Sequence, residues 1–160
     1  LVSDTTVMDT VQLTVRVPDL VDFSQINTHI WNLTGAIAGK HADNHWCTEK
    51  ILDSLVAAVI DFYSWSGSEE NEGRFIVLAI NDMTLRWGGV FDIDGTWNLN
   101  EKHSFHRVGL SVDINRDPGG LRLDNGTLTR TGRKLNHIMQ KRGARKYPEV
   151  RIHFGFDNGF

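Results

Sequence analysis

The sequence predicts an α+β domain in which a small antiparallel sheet is backed by two main helices. Three observations carry that expectation. Apolar residues recur at helical spacing through residues 51–63, and again, opposite a basic face, through 128–142. Short apolar or alternating runs of strand length lie near 75–81, 108–114 and 149–155. Strands and helices in that mixed order favour α+β packing around one core. At 160 residues the chain reads as a single domain, 1–160, long enough to bury a core. Its net charge of −3 argues against a nucleic-acid partner, because such domains are usually strongly basic. No run approaches the roughly 18 apolar residues of a membrane span. Cys47 is the only cysteine, so no internal disulfide can form. The chain opens Leu1-Val2-Ser3-Asp4, with neither a methionine nor a signal segment. It therefore reads as a processed chain or a piece of a longer protein.

Residues 11–17 (Val-Gln-Leu-Thr-Val-Arg-Val) alternate cleanly and stop at Pro18, which makes them a strand. That strand fits this domain's sheet or, equally, the end of a preceding β module covering residues 1–18. Residues 18–47 show no firm period. Within them His41 and His45 stand four apart beside Trp46. No glutamate follows the first, so the zinc-binding His-Glu-x-x-His pattern is missing. A histidine-bearing loop packed by Trp46, the rim of a cleft and a second metal site all remain open. Thr48 is a suitable N-cap with Glu49 in the first turn, and the apolar stripe from Ile51 to Tyr63 makes a buried helix to about Ser64.

The acidic run 66–73 reads as a solvated loop. Phe75–Ile80 is a continuous apolar run suited to a buried strand that delivers Asn81 and Asp82 to its end. The stretch 82–105 is a long loop rich in Gly and Trp, and loops of that length inside a compact domain tend to be functional. Its Asp92-Ile93-Asp94-Gly95 segment lacks the glycine and glutamate positions of a calcium loop and reads as a turn. Residues 115–125 are turn-rich. Asn32-Leu33-Thr34 and Asn125-Gly126-Thr127 match the glycosylation sequon, a pattern common by chance.

The chemistry centres on residues 103–113, which offer His103, His106 and Asp113. Two imidazoles and a carboxylate suit zinc held by nitrogen and oxygen. Ser111 and Asp113 alternate with Leu110, Val112 and Ile114, as in a strand with one polar face. His106 is seven residues before Asp113, an odd step, so in one unbroken strand the two would face opposite ways. His106 must therefore precede the strand, with Gly109 as the bend. A catalytic zinc keeps three protein ligands and one open position. The third candidate is His153, in the alternating stretch 150–154, which an antiparallel neighbour would set beside Asp113. The metal site is expected on the sheet face beneath the loop 82–105.

The pattern Ser104-x-His106-x-x-Gly109-x-Ser111-x-Asp113 resembles the first zinc motif of the D-Ala-D-Ala carboxypeptidases and dipeptidases. Asn81-Asp82-Met83-Thr84-Leu85-Arg86-Trp87-Gly88-Gly89, with His103-x-x-His106 and Val112-Asp113-Ile114, is more similar to the penicillin-insensitive murein endopeptidases. Both belong to a superfamily shared with the lysostaphin-type enzymes and the zinc-bearing domain of sonic hedgehog. The resemblance implies Zn2+ held by His106, Asp113 and His153. It also implies a peptidoglycan peptide as substrate and a place outside the cell or in its envelope. The likeness covers 76–114 well and 150–154 thinly. Arg151 stands where the endopeptidases have the first histidine of His-x-His. Glu149 is four residues before the last histidine, where the carboxypeptidases have a glutamate three before.

In such a hydrolase a general base must take a proton from water and pass it to the leaving amine. Glu149 is the first candidate, although four strand residues span about 13 Å unless the strand bulges or bends. His103 is the second, or it binds the oxyanion. Arg86 or Arg151 could hold a substrate carboxylate or the oxyanion. Asp82 could support the site from behind. A different reading is a zinc-bearing binding or structural module without catalysis, favoured by Arg151. Oligomeric state is not legible.

Overall fold

The computed structural model describes residues 16–26, 28–38, 41–89, 104–115, 120–122, 127–146 and 152–156. The architecture is α+β, with two helices and two sheets among the described residues. In chain order the elements are β1 (Leu20–Asp22), β2 (Trp31–Leu33), β3 (Trp46–Thr48), α1 (Glu49–Ser66), β4 (Leu78–Ile80), β5 (Ser111–Ile114), α2 (Arg130–Lys141), β6 (Arg145–Lys146) and β7 (Ile152–Gly155).

Helix α1 buries Ile51, Leu55, Ala58, Val59, Phe62 and Trp65, the stripe its spacing dictates. It ends two residues later than the pattern suggests, and Gly67 follows. Thr48 occupies the N-cap, but its hydroxyl makes no capping bond; its backbone N–H instead donates to Gly109 O at 3.0 Å. Helix α2 starts behind Thr129, whose hydroxyl accepts from Gly132 N at 3.2 Å. Its buried face of Leu135, Ile138 and Met139 packs towards α1. A Cβ at Gly132 would lie 2.1 Å from Leu121 O, so the absent side chain permits that close approach.

The larger sheet runs β2-β4-β5-β7-β6. Its β4–β5 and β5–β7 pairs are antiparallel, as the sequence predicts; β6, which the sequence reading does not include, pairs antiparallel with β7, and β2 lies parallel to β4, so the sheet is mixed. The smaller sheet pairs β1 with β3. Strand β4 is shorter than the apolar run 75–80: Phe75 is 62% exposed and stacks on Tyr63 at 5.0 Å. One face of β5 and β7, with Val112, Ile114, Ile152 and Phe154, enters the hydrophobic core. The other carries Asp113 and His153 and is buried as well. Residues 11–15 of the candidate strand 11–17, the loop residues 90–103 and the turn-rich residues 116–119 and 123–126 lie outside the described residues, while Arg16 and Val17 are described and belong to no strand.

Candidate metal centre

Residues Ser104–Val108 form a 3-10 turn just before β5. Gly109 bends the chain between them at φ +74°, a conformation that favours glycine. A Cβ there would also lie 2.5 Å from the Leu20 side chain. The bend lets His106, from the turn, reach the polar face of β5. On the far side of β5 the antiparallel register sets Asp113 opposite His153. Three side chains from a turn and two strands therefore meet at one point.

Their donor atoms all lie within 4.8 Å of one another, and all three residues are buried. His153 Nδ1 donates to Asp113 Oδ1 at 2.6 Å, and His106 Nε2 lies 3.6 Å from Asp113 Oδ2. The two imidazoles meet edge to face, with ring centroids 4.9 Å apart. Burial by itself would raise the Asp113 carboxyl. Hydrogen bonding from His106 and His153, with their charge, outweighs it and holds the group well below the usual carboxylate range.

The donor set fits a metal ion. Two ligand atoms each about 2.1 Å from one tetrahedral ion stand about 3.4 Å apart. The separation between His106 and Asp113 is already of that size. Among the described residues no other group of three metal-ligating side chains comes together.

Asp82 supports Asp113 through its backbone. Asp113 N–H donates to Asp82 O, and Asn81 N–H donates to Asp113 O, both at 2.8 Å. The Asp82 carboxylate turns to a second buried cluster that the sequence does not reveal. It accepts from Asn44 Nδ2 at 2.6 Å and Asn81 Nδ2 at 3.2 Å, with His41 Nδ1 at 3.6 Å. His45 Nε2 donates to Thr34 O at 2.9 Å. Burial lowers the His45 pKa, which backbone carbonyls of Thr34, Ile80 and Asn81 and the charge of Asp82 only partly offset. His41 and His45 thus have separate partners. Trp46 braces their loop from outside by donating to Asp43 Oδ1 at 2.7 Å.

Of the proposed catalytic residues, Arg86 lies in the loop after β4, stacked against Trp46 and Trp87. His103, Glu149 and Arg151 lie outside the described residues. No described helix is long and apolar enough to cross a membrane. No protein-family model matches the chain, and no curated protein matches it.

Proposed function

We propose that the protein is a zinc-dependent peptidase that hydrolyses peptide bonds of peptidoglycan, as a D-Ala-type carboxypeptidase or a murein endopeptidase. The convergence of His106, Asp113 and His153 within 4.8 Å, buried and drawn from a turn and two strands, carries the reading. The likeness of residues 104–113 to the peptidase zinc motif supports it, and the same reading proposes a location outside the cell or in its envelope.

His106, Asp113 and His153 would hold the ion. Bound zinc would supply a water of pKa about 7 and polarise the scissile carbonyl. Asp113 meets its part because its carboxyl stays ionised far into acid. The backbone bonds from Asp82 and Asn81 fix where that carboxylate sits. Glu149 is assigned to take a proton from water and deliver it to the leaving amine, with His103 as the second candidate. Arg151 is assigned to the substrate's carboxylate or the developing oxyanion.

One sequence feature favours a second reading, a zinc-bearing module without catalysis: Arg151 replaces a histidine of the endopeptidase pattern. Metal analysis combined with digestion of purified muropeptides separates the two. The peptidase reading expects one zinc per chain and release of a stem or cross-bridge fragment, both lost in His106→Ala. Zinc bound without cleavage of any muropeptide selects the module.

A further inference from the structure

The loop that leaves β4 builds a second candidate site. The Arg86 guanidinium lies 5.0 Å from the Trp87 ring centroid and 5.7 Å from that of Trp46. Both indoles therefore hold the cation. Among the described residues it has no carboxylate partner. Arg86 is exposed, and a guanidinium beside aromatic rings can still offer its N–H fork to a carboxylate.

The surroundings make a cleft of about 320 Å³, lined in part by Arg16, Asp19, Trp46, Arg86 and Trp87. That volume is at the small end of ligand sites. The lining residues include two arginines and one aspartate, so the cleft is net cationic. Its walls are tied down. Trp46 and Thr84 exchange backbone hydrogen bonds of 3.1 and 3.0 Å, and Val17 N–H donates to Trp87 O at 3.1 Å. Trp87 remains 49% exposed even with Arg86 over its ring, so it still offers apolar surface.

We propose that this cleft binds a small carboxylate ligand. The carboxylate meets the Arg86 fork, Arg16 supplies a second positive charge, and the ligand's carbon framework lies on Trp87. A peptide's terminal carboxylate and the carboxyl of an acidic sugar share this chemistry. The cleft is separate from the metal ligands. Backbone hydrogen bonds from Gly89 N–H to Arg107 O at 2.9 Å and from Thr48 N–H to Gly109 O at 3.0 Å tie its neighbourhood to the segment that carries His106.

The test is a chemical-shift titration of the tryptophan indole N–H signals of the full chain. The probes are N-acetylalanine for the peptide source and glucuronate for the sugar source, with N-acetylalanine amide and glucose as uncharged controls. A saturable shift with at least one carboxylate and none with its uncharged counterpart is expected, and the arm that saturates names the source. Arg86→Gln should weaken binding at least about tenfold, with Arg86→Lys in between because it keeps the charge and loses the fork. Trp87→Ala and Arg16→Gln should weaken it by smaller factors. His106→Ala should bind as the wild type does, so failure of the zinc reading leaves this result intact. No saturation with either carboxylate, equal shifts with the uncharged controls, or unchanged affinity in Arg86→Gln would overturn the proposal.

Discussion

Asp82 and Asp113 are joined through their backbones by a 2.8 Å hydrogen bond, and each is 3% exposed, yet their carboxylates live in different company. Asp113 is bracketed by two imidazoles, Asp82 by the amides of Asn44 and Asn81 with His41 beyond. An amide N–H neutralises a carboxylate's hydrogen-bonding demand but cannot give up its proton to become a ligand. An imidazole can, near neutral pH. The same buried charge is therefore a structural brace in one place and a metal-ready group in the other.

The largest expected effect tests that contrast directly. Asp113→Ala should abolish stoichiometric zinc binding and any hydrolysis, measured by metal analysis and muropeptide digestion. Asp82→Ala should keep its zinc while losing about 2 kcal/mol of stability in denaturant unfolding, because Asn44 and Asn81 lose their acceptor. Equal loss of metal in both variants would erase the distinction. Next, zinc at about a thousand times its dissociation constant should stabilise the wild type by about 4 kcal/mol. That corresponds to a rise in Tm on the order of 10 °C for a chain of this size. Scanning calorimetry should show the same rise in Asp82→Asn and none in Asp113→Ala.

Acid should expose the two clusters in turn. His45 is held neutral, so below its ordinary value of 6.5 the unfolded chain binds a proton that the native chain does not. Stability then falls by at most about 1.4 kcal/mol per pH unit until the depressed native value is reached. Asp113 adds its own loss further down, where the unfolded carboxyl protonates below its ordinary value of 3.8 and the native one does not. His45→Gln should remove the first decline and leave the second, in denaturant unfolding of the apo chain across pH. The smallest effect concerns Cys47 on β3, buried with its thiol pushed up to about 12. It should resist thiol reagents in the native protein and react once unfolded. The native chain should also lose stability as pH rises from about 9 towards 12, since only the unfolded thiol ionises there.

Helices α1 and α2 were legible because each repeats its period over several turns. The geometry around His106, Gly109 and Asp113 was legible for a related reason. The odd spacing and the glycine leave few ways to bring the two side chains together, and the alternation of 150–154 fixes which face His153 shares. Strands β1, β2 and β3 were not legible, since three residues cannot display a period. The parallel β2–β4 pair was hidden for the same reason, and Phe75 shows that an apolar run need not be strand throughout. The amide bracket on Asp82 was invisible because Asn44 approaches from 38 residues away, and polar residues in aperiodic sequence give no sign of burial.

His153 follows Asp113 by 40 residues, and the strand that carries it joins the sheet only after α2 has been made. A nascent chain halted before β7 owns an imidazole and a carboxylate but no third donor. The order of synthesis thus withholds the triad from any half-made molecule, and capture of an ion by all three groups would mark the moment when the sheet closes.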